Sequence, residues 1–309
     1  MDFIIFILAM SALIYGADFV VKEAEKIALH FNISHYVIGA TLVAFGTSLP
    51  EMAASMMASY AHKSDMAVAN VVGSVIFNIT LILGIVFFIG KKMEPNRNLF
   101  AKDSAWVIVP VIFFFIMAID GEISRFDGLL YLLLMVSYLF FLFTSSKEDL
   151  EEAIEKDLEK VQFQWGKTIV LLSIGFALTI GGANFVIDSG TNIARTFGVS
   201  EWIIGLFLIS LGTSLPELVV SVVAIRKGNS EMSIGNIIGS NVANFSMVLG
   251  ASSLINPLII NLMATKFDMI ILIAASMTLL LILANKLYNK AGAIFLLIIL
   301  MLFLQNALI

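Results

Sequence analysis

The apolar residues of this chain are gathered into runs of about 20, long enough to cross the hydrocarbon core of a bilayer as helices. Ten such runs stand out, at roughly 3–21, 36–61, 66–89, 104–119, 126–145, 167–187, 201–226, 231–255, 267–285 and 289–308. Only 13% of the 309 residues are charged, against about 25% in a soluble domain. The pattern excludes a soluble fold and predicts an all-α polytopic membrane protein of ten transmembrane helices. The first run has no basic residue before it, while Lys22 and Lys26 follow it. A secretory signal has the opposite order, so the run is expected to be a retained span. The absence of cysteine excludes disulfides, thiolate metal sites and iron–sulfur clusters. His30, His35 and His62 fall near run ends, which argues against haem and di-metal redox centres.

Residues 147–165 form the only strongly polar stretch and read as a short linker between a first unit, 1–146, and a second, 166–309. The units repeat at a constant offset of 166. Gly46 to Glu51 (GTSLPE) recurs unchanged as Gly212 to Glu217, and Asn70, Gly73, Ser74 and Asn78 recur as Asn236, Gly239, Ser240 and Asn244. Shared apolar composition does not produce an identical polar hexapeptide followed by four further polar or glycine matches. Each unit holds five runs. Two odd units in series insert with opposite orientation, which predicts two inverted five-helix repeats with a site near the midplane. Of the 18 Lys and Arg residues, all but Lys63, Arg125, Arg195 and Lys266 then fall on one side. That bias puts the linker in the cytoplasm and both termini outside a cell membrane.

Glu51 and Glu217 lie mid-run. An ionisable group at the bilayer centre costs about 2.5–3.5 kcal/mol on insertion scales and usually faces a working cavity. Pro50 and Pro216 precede them. Proline lacks an N–H and clashes with the carbonyl one turn earlier, so the helices are expected to break near Gly46–Thr47 and Gly212–Thr213, leaving backbone oxygens open. Irregular backbone at membrane depth is tolerated where it is buried or lines a cavity. Thr47 and Glu51 are four residues apart and share a helix face, as do Ser74 with Asn78 and Ser240 with Asn244. Together these are hard oxygen donors without nitrogen or sulfur ligands, a set suited to Na⁺, Ca²⁺ or Mg²⁺ rather than zinc or copper. Two glutamates balance one Ca²⁺ or two Na⁺, so either load neutralises the site and lets it reorient.

The doubled GTSLPE, followed about 20 residues later by a G-S-x-x-x-N pattern, resembles the alpha-repeats of the sodium/calcium exchanger family within the calcium:cation antiporter superfamily. The resemblance covers most of the chain. It implies a secondary antiporter in which Na⁺ entry drives Ca²⁺ extrusion by alternating access. It also implies Glu51 and Glu217 as central Ca²⁺ ligands shared with Na⁺, with Thr47 and Thr213 adding carbonyl and hydroxyl oxygens. By the same resemblance Ser48, Ser74, Ser214 and Ser240 match flanking Na⁺ sites, with the carbonyls of Ala44 and Ser210 nearby, and Asn78 and Asn244 match the middle of the cluster. Some members carry aspartate where Asn244 stands, including potassium-dependent ones; the asparagine argues against potassium dependence and removes a protonation site. Ser210 adds a hydroxyl where the first repeat has Ala44, and Ala69 stands where the second repeat has Gly235, with an expected effect on packing alone. The first and sixth runs, with Gly16 and Gly182, are implied to slide as a gate. The expected partners are Na⁺, Ca²⁺ and the lipid bilayer, with no cofactor, no nucleic acid and no obligatory protein partner. An enzyme is not expected, because no histidine or cysteine lies mid-span to pair with a nucleophile. The competing reading is a cation/proton antiporter on the same fold, with the glutamates as proton carriers.

Overall fold

The structure, a computed structural model, describes residues 2–90, 93, 95–151, 163–198, 211–263 and 265–308. In chain order its helices are α1 (Asp2–Phe31), α2 (His35–Ile38), α3 (Ala44–Thr47), α4 (Leu49–Tyr60), α5 (Ser64–Phe77), α6 (Leu83–Ile89), α7 (Leu99–Met117), α8 (Arg125–Glu151), α9 (Trp165–Thr196), α10 (Leu215–Arg226), α11 (Ser230–Ala243), α12 (Gly250–Ile255), α13 (Lys266–Ala284) and α14 (Lys290–Leu308). Among the described residues, seven helical segments are long and apolar enough to cross a membrane. The pair His35–Thr47 and Leu49–Tyr60, bent by 46°, makes an eighth if counted as one broken span. Lys290–Asn306, within α14, is a shorter apolar helix, and of the expected run 201–226 residues 201–210 lie outside the described residues.

Helix ends differ from the hydropathy boundaries. The first run becomes a 30-residue helix and the sixth a 32-residue helix. At 1.5 Å per residue these measure about 45 and 48 Å, well beyond a hydrocarbon core of about 30 Å. Lys22, Glu23, Glu25 and Lys26 favour helix as much as the apolar residues before them. Hydropathy therefore marks where the membrane stops, not where the helix does. α8 likewise continues through Glu151, into the stretch expected to be linker; residues 152–162 lie outside the described residues.

α1 and α9 run antiparallel along their whole length. Phe3 meets Phe197 edge-on at one end, with ring centroids 6.3 Å apart, and Phe31 meets Trp165 at 5.4 Å at the other. Glycines let the backbones touch: a Cβ on Gly16 would fall 2.6 Å from Thr179 N, and one on Gly182 would fall 2.7 Å from Leu13 N. The contact is reciprocal, since Gly182 and Thr179 stand 166 residues after Gly16 and Leu13. The outward faces, among them Ile4, Leu8, Val170 and Phe185, are exposed as lipid-facing residues must be.

The main core gathers Tyr36, Phe77, Phe87, Phe114, Tyr131 and Phe245, and its buried members come from α2, α4 to α8 and the segment 234–299. The buried apolar residues of α1 and α9 belong instead to two separate clusters shared with α10 and, in the larger one, with Ile38 of α2, Val43 and Met232 of α11. One end of the molecule, here the ribbon face, carries β1 (Glu122–Ile123) paired antiparallel with β2 (Leu258–Ile259), and Ser59 of α4 bonds Ser252 O there at 2.6 Å. The opposite linker face brings Phe31, Arg97, Ser145, Trp165 and Glu231 to one end. Arg97, counted above as a loop charge, is 4% exposed and pairs bidentately with buried Asp103 at 2.7 and 3.0 Å while stacking over the Tyr36 ring.

Candidate ion-binding site

The helix break falls at Ser48, one residue beyond the expected Gly46–Thr47, with φ −84° and ψ 4°; Ser214 has φ −89° and ψ 4°. Each proline thus enters the first turn of a new helix, where its missing N–H costs nothing. The Gly212 carbonyl, expected to be open, accepts from Leu215 N at 3.3 Å. A tight turn there satisfies the group that Pro216 frees.

This arrangement sets Glu51 and Glu217 in the first turns of α4 and α10, where unpaired backbone N–H groups favour negative charge. Ser-Leu-Pro-Glu has the spacing of a capping box, in which serine and glutamate close on their own helix. Here neither serine caps its own helix. Ser48 Oγ donates to Glu217 Oε1 at 3.1 Å, and Ser214 Oγ to Glu51 Oε1 at 3.5 Å. Each half supplies the hydroxyl for the other half's carboxylate, and this exchange brings both glutamates to one place.

The third pair of site residues sits on π-turns, Asn78–Ile82 and Asn244–Leu249, each beginning at its asparagine. Such turns recur at functional sites because they re-aim side chains within a helix. Nothing in the apolar sequence around them signals the extra residue. Ala44, Thr47, Ser48, Glu51, Ser74, Asn78, Ser214, Glu217, Ser240 and Asn244 are all 4% exposed or less. Thr213 is half-buried, and Ser210 lies outside the described residues.

Buried polar atoms nearly always have a partner, because an unsatisfied one costs about 1–3 kcal/mol. Among the described residues Glu51 Oε2, Glu217 Oε2, Ser74 Oγ, Ser240 Oγ, Asn78 Oδ1 and both polar atoms of Asn244 have none. These six residues are three pairs related by the 166-residue offset. No three His, Cys, Asp or Glu side chains come together among the described residues; what the cluster offers is two carboxylates and neutral oxygens. The Ala44 carbonyl is a weaker candidate than the resemblance implied. It already accepts from Ser48 N at 3.0 Å and from Thr47 Oγ1 at 3.2 Å.

A supporting layer was not singled out from sequence. Asn70 Nδ2 donates to the Glu51 carbonyl at 3.2 Å and to Ser55 Oγ at 2.8 Å; Asn236 Nδ2 does the same to the Glu217 carbonyl at 3.5 Å and Ser221 Oγ at 2.9 Å. Asn236 Oδ1 also accepts from Thr47 at 3.4 Å. Both asparagines were visible as repeat matches, which was the available signal. Asn241 Oδ1 accepts from Asn78 Nδ2 at 3.1 Å and thereby turns Asn78 Oδ1 toward the cluster. Its repeat counterpart is Val75, so Asn244 has no such tether. A cavity of about 460 Å³ carries Asp65, Ala69 and Asp268 on the ribbon-face side and reaches Ser74 and Thr213 of the site.

Residues 1–144 and 167–308 match the family model described as sodium/calcium exchanger protein. The chain belongs to this family. Among exchanger-family relatives, it is 32% identical to sodium/calcium exchanger MaX1 of Methanosarcina acetivorans, over 92% of this chain and 91% of that one. It is 38% identical to the uncharacterized membrane protein MJ0091 of Methanocaldococcus jannaschii, over 93% and 90%. A solved structure of the sodium-calcium exchanger NCX_Mj, soaked with Na⁺ and Sr²⁺, superposes with a TM-score of 0.84 and 33% identity, covering 98% of this chain and 97% of that one.

Proposed function

We propose that the chain is a secondary antiporter that exchanges Na⁺ for Ca²⁺ by alternating access. The observation that carries this is the set of buried oxygens without partners, paired across the repeat and centred on Glu51 and Glu217. Glu51 and Glu217 hold Ca²⁺ centrally, with oxygens from Thr47 and Thr213. Ser48, Ser74, Ser214 and Ser240 serve flanking Na⁺ positions, and Asn78 and Asn244 close the middle. The Ala44 carbonyl joins once Thr47 releases it, with Ser210 as its counterpart. Two carboxylates neutralise one Ca²⁺ or two Na⁺, and this equivalence couples the ions: the loaded site crosses, while the empty, doubly charged one does not.

The architecture is ten spans in two inverted five-helix repeats, 1–146 and 166–309, joined by the linker 147–165. Support comes from the antiparallel α1 and α9, which occupy equivalent places in the two halves, and from the reciprocal Ser48–Glu217 and Ser214–Glu51 bonds. Both termini are extracytoplasmic, on the charge bias of the loops. The family resemblance makes α1 and α9 the sliding gate.

The test is ion flux in proteoliposomes. An outward Na⁺ gradient drives Ca²⁺ uptake that a proton ionophore leaves unchanged. Uptake driven by a proton gradient alone overturns this reading in favour of the cation/proton antiporter.

A further inference from the structure

α10 is held at both ends. Its first turn presents Glu217, and Lys227, just past its last turn, reaches across to α1. Lys227 Nζ lies 2.5 Å from Asp18 Oδ1, and Lys22 Nζ lies 2.7 Å from Asp18 Oδ2. Beside this ion pair Ala17, Val20, Val21 and Ala24 of α1 close over Val220 and Ala224 of α10.

The contact is on the linker-face side of the site, opposite the cavity. On that side the packing is tight. α11 receives the backbone of the α2 segment at two glycines, and a Cβ on Gly239 would fall 2.6 Å from Ala40 Cα. A route to the linker face alongside α10 therefore needs α1 to leave it. α1 packs through a cluster apart from the main core, shared with Val220 and Ala224 of α10 and with Ile38, Val43 and Met232, so its lifting opens that cluster and leaves the main core closed.

The 166-residue offset pairs Asp18 with Asn184 and Lys227 with Ala61, which cannot form an ion pair. The clasp is thus one-sided, with no counterpart in the other half. We propose that Asp18 and Lys227 are positioning residues that hold α1 on α10, and so weight the molecule toward the arrangement open at the ribbon face. The inference rests on the alternating-access reading. A half-exposed ion pair shifts such a balance severalfold rather than fixing it.

The chain contains no cysteine, so single reporters can be introduced into the full-length protein in nanodiscs. Ala224→Cys sits in the α1–α10 contact and reacts with a soluble maleimide when α1 lifts. Ala69→Cys lines the cavity and serves as the reference. Asp18→Asn and Lys227→Met are each expected to raise Ala224→Cys labelling about threefold relative to Ala69→Cys. Lys227→Arg, which keeps the charge, leaves it unchanged. About 1 M KCl raises it in the parent and has no further effect in Lys227→Met. Lys227 also caps the C-terminus of α10, where a cation is favourable by itself. An increase in Lys227→Met without one in Asp18→Asn therefore overturns the clasp, as does no change in either. If one variant fails to fold, the other and the salt series decide. Labelling needs no transport, so failure of Na⁺-driven Ca²⁺ uptake in the parent counts against the transport reading and leaves the clasp to its own result.

Discussion

Glu217→Gln isolates charge from shape. The carboxamide keeps an acceptor for Ser48 Oγ, now 3.1 Å from Oε1, so the cross-repeat bond and the start of α10 survive. What is lost is one of two buried negative charges. With Ca²⁺ bound, the site changes from neutral to singly positive. An uncompensated charge at mid-membrane costs about 2.5–3.5 kcal/mol. At 1.4 kcal/mol per tenfold, Ca²⁺ binding weakens by about 60- to 320-fold. At a Ca²⁺ concentration 100 times the parent Kd, bound ion stabilises the parent by about 2.7 kcal/mol and the variant by about 0.6 kcal/mol or less. Calcium-dependent thermal shift in detergent reads this difference, and Na⁺-driven Ca²⁺ uptake in proteoliposomes is expected to vanish. A folded variant whose Ca²⁺ affinity stays within about fivefold of the parent refutes the two-carboxylate argument. Glu51→Gln is expected to behave alike.

Asn236→Ala removes bonds to the Glu217 carbonyl and Ser221 and an acceptor for Thr47; it is expected to weaken Ca²⁺ about tenfold in the same titration, and Asn70→Ala, at a half-exposed position, less. Arg97→Met takes the bidentate guanidinium away from buried Asp103, costing about 3–5 kcal/mol of stability, with a lower melting temperature and an unchanged Ca²⁺ Kd for the fraction that folds. Adding Asp103→Leu should restore most of that loss. Asn244→Asp places a third carboxylate in the cluster, so Ca²⁺ uptake is expected to gain a pH dependence or a changed ion preference; an identical pH profile shows that the position does not couple to the ions.

Much of this was legible in the sequence because membrane burial leaves few reasons for a polar residue. Glu51 and Glu217 stood out against their runs, and the constant offset tied each donor to a twin. Membrane depth was likewise written in hydropathy. Helix length was not, since Lys22 to Lys26 leave the bilayer without leaving the helix. The π-turns at Asn78 and Asn244 were hidden because an extra residue per turn depends on packing, not on composition. Asn241 was hidden because its counterpart is Val75, and a search by repeat finds what is shared, not what is unique to one half. The burial of Arg97 was hidden because its partner Asp103 reads as one more loop charge.

The exchanged serine–glutamate bonds also bear on how the molecule is made. Glu51 waits for a hydroxyl 163 residues further along the chain. At about 5–20 residues per second, that donor is synthesised about 8–30 seconds after the carboxylate that needs it. The first half therefore enters the bilayer with its central acid unmatched, and assembly of the site falls to the final stage of insertion. The same reciprocity would satisfy two identical half-length chains facing each other, since every bond one offers the other returns. A duplicated gene inherits such a two-fold interface ready made, and asymmetries such as Val75 and Asn241 are changes open to it only once the halves are joined.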